Sequence, residues 1–487
     1  MSNQIGFHIC LVGQWLEDMG QAYQWALREL GYEASSAQGA VSLDRVNLLF
    51  AGFGVPLHEY RRCGLKHAVN INLEQIGTSL PVAVTASAFQ LLREFPVWDY
   101  SPRNLEQLPK YGIADVQHVP VGYCPLWERL PGTEQDIDVV FYGALSRRRL
   151  DVLKKLESMG LTVAYPERYD EWSVAQRDEY ISRAKVVLNL SFYEQVHILE
   201  EVRISFLFAN RKAVVSEIRP DTYAHDDVLQ GLAAAPLEDI PALCAALCAD
   251  ATRRQSLGEA GYRAIRGRDW LTPLRRAVEN YAARASFGYQ SIKPDLPIPR
   301  KLNLGSGKNW KYDFLNLGLE AGHDADVVFD LNQALDHERV LDSWRFGKIT
   351  LPKAAFDYIL AERVFERIRD LTQCMQTCLD LLEDGGVLEI ETAYDLSLGA
   401  WQDPGHVRAF NECSWLYYSD WCDRIGWRTH RFDVQSFAFK LSDYGDELRS
   451  QGRSDVELAR TPRAVDTMRV QLRKRPLTGQ ERGQASQ

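Results

Sequence analysis

A glycine at the end of an apolar run, followed by three arginines, forms the densest cluster of anion-binding chemistry in this sequence. In Gly143-Ala-Leu-Ser-Arg-Arg-Arg149 a strand-like run stops and the arginines open a helical pattern. Free N–H groups and the positive end of a helix dipole attract an anion there, and guanidinium groups add bidentate contacts to phosphate. Gly143, Arg147 and Arg148 are therefore candidates for holding a diphosphate such as that of a nucleotide sugar, although a solvated helix face is the alternative for any single arginine. Glu17 and Asp18, just past the first apolar run, occupy the kind of loop from which a general base could reach an acceptor hydroxyl. A second glycine-bearing strand end, Lys301-Leu-Asn-Leu-Gly-Ser-Gly307, would let a ligand's carboxylate and ribose approach the backbone.

Other chemistry is disfavoured. The nine cysteines are scattered without a C-x-x-C, and the pairs Cys244/Cys248 and Cys374/Cys378 read as small buried residues on helix faces. Asp136-Ile-Asp138 opens a strand instead of ending one, so no metal site is expected. A net charge of -10 argues against nucleic-acid binding, which needs an excess of Lys and Arg. The first apolar run is too short for a signal core or membrane span and lacks basic residues before it, which points to a cytoplasmic protein with no transmembrane segment.

The elements that must position these residues alternate between apolar runs and helical stripes, the pattern of a parallel α/β sheet. Strands are expected over residues 6–13, 46–51, 67–73, 97–100 and 116–119, and the pattern restarts at 136–142 with strands at 161–165, 184–190 and 212–216. Three prolines in Ser291-Ile-Lys-Pro-Asp-Leu-Pro-Ile-Pro299 mark a linker, and a third restart follows at 301–304. With 487 residues the chain exceeds one core. The expected division is a Rossmann-like domain over 1–135, a second over 136–290, a linker over 291–300, a third α/β domain over 301–440, and a polar, partly disordered extension over 441–487.

The stretch from Val186-Val-Leu-Asn-Leu-Ser-Phe-Tyr-Glu194 through Arg203 to Lys212-Ala-Val-Val-Ser-Glu217 resembles the donor-binding domain of GT-B-fold glycosyltransferases. Asn70-Ile-Asn-Leu-Glu-Gln75, Val97-Trp-Asp-Tyr-Ser101 and Val119-Pro-Val-Gly-Tyr123 resemble stretches of a bacterial surface-glycan branch of that family. The resemblance covers roughly residues 5 to 285 and implies two Rossmann-like domains in a GT-B arrangement, with Glu194, Arg203 and Glu217 at the donor site and Arg203 on the diphosphate. His197 lies in the loop near the expected reaction centre. Many such enzymes carry two glutamates eight positions apart; Ile198 and Phe206 stand there in this chain. Such enzymes stabilise the departing nucleoside diphosphate by fixed positive charge and helix dipoles.

From residue 301 to about 435, Lys301-Leu-Asn-Leu-Gly-Ser-Gly307, Ala325-Asp-Val-Val-Phe-Asp-Leu331, Leu381-Leu-Glu-Asp-Gly-Gly-Val387 and Gln402-Asp-Pro-Gly-His-Val-Arg408 follow in an order similar to class I S-adenosylmethionine-dependent methyltransferases. The resemblance implies that Gly305, Ser306 and Gly307 face the cofactor's methionine part, that Asp330 lies near its adenine, that Glu362 completes the cofactor site, and that Glu366 and His406 lie toward the methyl acceptor. Where the family ends its second strand on an acid that holds the ribose, this chain has Gly318; where it has histidines after the fourth strand, this chain has Arg363 and Arg367.

Together these resemblances imply a glycosyltransferase acting on a glycan, lipid-linked or protein acceptor, with a fused methyltransferase-like domain that methylates the product. The alternatives are a methyltransferase with a silent sugar-binding front half, and a non-enzymatic assembly scaffold.

Overall fold

The computed structural model describes residues 5–13, 16–50, 54–55, 57–76, 85–168, 171–192, 198–285, 295–319 and 325–484. The chain is mixed α/β and divides into two compact units, Met1–Pro294 and Asp295–Gln487.

The first unit holds two parallel sheets. In one, β1 (Phe7–Leu11), β2 (Ala34–Gln38), β3 (Val46–Phe50), β4 (Ala68–Asn72), β5 (Val97–Asp99) and β6 (Val116–His118) lie in the order β2-β1-β3-β4-β5-β6. In the other, β7 (Ile137–Val140), β8 (Val163–Ala164), β9 (Ala184–Asn189), β10 (Val214–Glu217) and β11 (Leu232–Ala235) lie in the order β11-β10-β9-β7-β8. In each sheet the first strand sits between its second and third, so the winding reverses there and leaves a crevice at the carboxyl ends. Strands β1 and β3 are buried along their whole length, as parallel strands covered by helices must be. The edge strand β2, Ala-Ser-Ser-Ala-Gln, was not expected; its small polar residues give no apolar run to detect.

Helix Glu17–Glu29 presents Met19, Ala22, Tyr23, Ala26 and Leu27 to the first sheet. Helix Leu271–Ala285, last in the unit, returns to that same sheet. Trp270, just before it, is buried edge-on against Tyr23 and stacked on Trp127, and Asn280 donates to Gln117 at 3.2 Å. Gly122 is required at this junction, because a Cβ there would sit 2.2 Å from that of Trp270.

The second unit is built on one sheet of nine strands: β12 (Lys301–Leu304), β13 (Leu315–Gly318), β14 (Val327–Val328), β15 (Leu341–Ser343), β16 (Gly347–Ile349), β17 (Phe356–Glu362), β18 (Leu382–Ala393), β19 (His430–Leu441) and β20 (Val465–Pro476). Their order is β16-β15-β14-β13-β12-β17-β18-β20-β19. The run β14-β13-β12-β17-β18 is parallel, and β20 enters antiparallel between β18 and β19. The winding reverses between β12 and β17.

Residues beyond 440 do not form a polar extension. Met468, Val470 and Leu472 of β20 are fully buried and alternate with Arg469, Gln471 and Arg473, so this charged segment is an interior strand with one apolar face. Helices Asp443–Ser450, Asp455–Arg460 and Gly479–Gln484 accompany it, the last held by Arg475, which donates to Glu481 at 2.7 Å.

Candidate functional site

In the first unit, the loops that follow β1, β4, β5, β7, β8 and β9 line one cleft of about 660 Å³. Its charged groups are Asp18, Glu74, Arg177, Glu200 and Arg203, and its aromatic walls include Tyr100, Trp127, Tyr142, Trp172 and Phe206. Gly143 takes φ +129° just beyond β7, and its missing side chain makes room for Arg203, whose guanidinium nitrogen would lie 2.9 Å from a Cβ there. Arg203 lies over the Tyr142 ring and pairs with Glu200 at 3.0 Å.

The other expected donor residues are placed differently. Arg147 is exposed on helix Arg147–Ser158. Arg148 does not face the cleft as a free cation: it donates to the buried Glu217 at 2.6 Å and to the Ser191 carbonyl at 3.2 Å. Arg148 and Glu217 neutralise each other and clamp the loop after β9 to the end of β10, so neither is among the cleft-lining residues. Arg149 is buried, donates to the Ala144 carbonyl, and is depressed to about 10 by loss of solvent. Arg148 and Arg149 thus hold strand-end loops through a carboxylate and backbone carbonyls. Glu194 and His197 lie outside the described residues.

Of the two expected bases, Glu17 accepts from Gln21 at 3.0 Å and is not among the lining residues. Asp18 does line the cleft, but its two carboxylate oxygens are engaged by Arg129 at 2.5 Å and Arg177 at 2.8 Å. The residue suited to that task is Glu74, which sequence patterning did not single out. Its side chain opens to the cleft, yet the walls withdraw enough solvent to raise its carboxyl above the ordinary value, with the charge of Glu200 adding to the effect. Among the described residues it has no ion-pair partner.

Glu74 rests on a buried polar cluster. Asp99, fully buried at the end of β5, accepts from Asn72 at 2.5 Å, from the Ser101 N–H at 2.8 Å and from Asn104 at 3.0 Å. Asn104 in turn donates to the Glu74 carbonyl at 2.8 Å and accepts from the Ile76 N–H at 2.8 Å. Burial outweighs these donors and pushes Asp99 up to about 7.

In the second unit the turn after β12 lies at the winding reversal. Gly305 and Gly307 have φ +59° and +48°, conformations that favour glycine. Ser306 is buried; its N–H donates to the Leu317 carbonyl at 2.8 Å, and its hydroxyl has no partner among the described residues. Residues 305–314 join β12 to β13 through turns with no helix. At Gly318 a Cβ would lie 2.8 Å from that of Ala325, so the position is closed to a larger residue. Asp330 accepts from the Asn332 N–H and side chain at 2.9 and 3.0 Å. Glu362 bonds Asn309 and lies 3.7 Å from both Lys311 and Arg469.

Beside this turn's sheet edge, Arg363, Arg367, Gly399, Gln402, Asp403, Pro404 and His406 line a polar cavity of about 520 Å³. Glu366, expected beside His406 on the acceptor side, is instead fully buried; it accepts the Ala393 N–H at 2.8 Å, and its carbonyl accepts that of Val407. It anchors the segment that carries His406. Among the described residues no group of three His, Cys, Asp or Glu side chains could hold a metal, and no helix is long and apolar enough to cross a membrane.

No protein-family model and no curated protein matches the chain. Solved structures similar to it include an S-adenosylmethionine-dependent methyltransferase from Mesorhizobium loti, 14% identical, with 40% of this chain and 97% of that one covered at a TM-score of 0.23. Another is an S-adenosylmethionine-dependent methyltransferase from Archaeoglobus fulgidus, 13% identical over 41% and 94% of the two chains at 0.24. A putative methyltransferase of that kind from Listeria monocytogenes is 11% identical over 41% and 98% at 0.23.

Proposed function

We propose that the chain is a transferase with two ligand sites: the second unit binds S-adenosylmethionine at the turn after β12, and the cleft of the first unit takes a nucleotide sugar. The observation that carries the first assignment is the glycine pair at the winding reversal of a sheet ordered β14-β13-β12-β17-β18, where open α/β sheets bind ligands. The residues fit the cofactor's methionine end, since Ser306 keeps a buried hydroxyl, without a partner among the described residues, between two left-handed glycines. Asp330 stands at the adenine side, and Gly318 leaves the ribose hydroxyls without a carboxylate. S-adenosylmethionine supplies an electrophilic methyl group when bound. Calorimetric titration of the full chain should give one binding event. Ser306→Ala, which removes an unpaired hydroxyl and so leaves stability unchanged, should weaken it roughly tenfold. Absence of heat in the wild type at millimolar cofactor would refute the assignment.

The second site is favoured by a different observation, the convergence of two sets of parallel strand ends on the one cleft. Arg203 would meet the diphosphate, leaving Glu200 to hold its orientation. Glu74 would take the proton of the acceptor hydroxyl as that oxygen bonds to the sugar's anomeric carbon and the nucleoside diphosphate leaves. Titration with a panel of nucleotide sugars tests it. Binding should be lost in Arg203→Ala and kept in Arg449→Ala, an exposed control; binding equal in both would dismiss the cleft as the site.

A further inference from the structure

The cavity beside β17 carries cationic groups from separate segments. Arg363, first residue after β17, has φ +57°, a conformation that side-chain-bearing residues rarely adopt and that concentrates at ligand sites. Its N–H continues the ladder by donating to the Glu391 carbonyl at 2.8 Å, so the bend is fixed by the sheet rather than by a contact of the side chain. Among the described residues its guanidinium has no hydrogen-bond or ion-pair partner, and it borders Gly399, whose Cβ position lies 3.8 Å from Nη1. Arg367 lines the same cavity, paired with Asp403, which also accepts the Gly405 N–H at 2.8 Å. His406 donates from Nδ1 to the Ala400 carbonyl at 2.9 Å, which leaves Nε2 to accept the O–H of a phosphate monoanion or, on the imidazolium, to donate to a phosphate oxygen. Two arginines against one carboxylate leave the cavity positive before the histidine is counted.

We infer that this cavity binds a phosphate-bearing group of the acceptor. A phosphomonoester has three peripheral oxygens, which match Arg363, Arg367 and His406, whereas a carboxylate has two. Calling the ligand an acceptor rests on the second unit being a transferase; the binding itself does not. Phosphate must draw Arg367 from Asp403, so the two neighbours of the anion act in opposite senses.

Titration of the full chain with inorganic phosphate reads both. Arg363→Gly keeps the left-handed backbone and should weaken phosphate binding roughly tenfold. Asp403→Asn, which retains the oxygen facing Gly405, should tighten it several-fold by releasing Arg367. Both variants should bind S-adenosylmethionine as the wild type does, so a failed cofactor titration and a failed phosphate titration are separate results. A hexose phosphate that displaces inorganic phosphate identifies a soluble source. Sedimentation with phosphatidic acid vesicles, abolished in Arg363→Gly, identifies a lipid headgroup. Wild-type protein that ignores phosphate, or variants that bind it equally well, overturns the proposal.

Discussion

A carboxylate that accepts a proton during catalysis must not be held by a cation, and in the cleft this separates Glu74 from Asp18. Glu74→Gln should lower the transfer rate about 10²- to 10⁴-fold with little change in donor affinity, because only the proton-accepting step is lost. The rate should rise with pH as the carboxyl ionises, through a midpoint above the ordinary 4.5 for glutamate. A variant as fast as the wild type would remove Glu74 from the chemistry. Asp99 gives a second pH effect, on stability. Its folded value of about 7 lies above that of the unfolded chain, so its contribution is full at low pH and is lost as pH rises from about 4 to about 7. The stability advantage of wild type over Asp99→Asn should therefore shrink between about pH 4 and pH 7 in thermal melts; a constant difference would contradict the assignment. Little of this was legible in the sequence. The partner that neutralises Arg148 is 69 residues away, at Glu217, and only the folded sheet brings them together. Arg203, by contrast, is at the cleft because it follows directly from the strand-loop-helix unit that the sequence announces.

Elements were legible where burial leaves an apolar run. Strands β1, β3, β4 and β9 are such runs. Strand β20 escaped because Arg469, Arg473, Lys474 and Arg475 make its mean composition polar, while its alternation is clear only once its neighbours are known. Deleting residues 465–487 removes four fully buried apolar side chains, Val465, Met468, Val470 and Leu472, each contributing roughly 2 kcal/mol. That sum approaches the entire stability of a domain, about 5–15 kcal/mol. The truncated chain should lose the second unit's unfolding transition while the first unit's remains. Two intact transitions would mean that β20 is dispensable.

At the scale of the whole molecule, the two units have separate cores, and each carries its candidate site at the carboxyl ends of parallel strands. The glycine-rich turn of the second unit was legible because its conformation is written in residue type; the helix-free link between β12 and β13 was not, since short turns leave no periodic signal. The assignment of S-adenosylmethionine to that turn is the claim on which the molecule's function most depends. Trypsin releases residues 302–308, between Lys301 and Lys308, as one peptide that contains Gly305, Ser306 and Gly307. Ultraviolet cross-linking with radiolabelled S-adenosylmethionine, followed by peptide mapping, should place label in that peptide and lose it when unlabelled cofactor competes. Label confined to peptides of the first unit, or none that competes, would contradict the account.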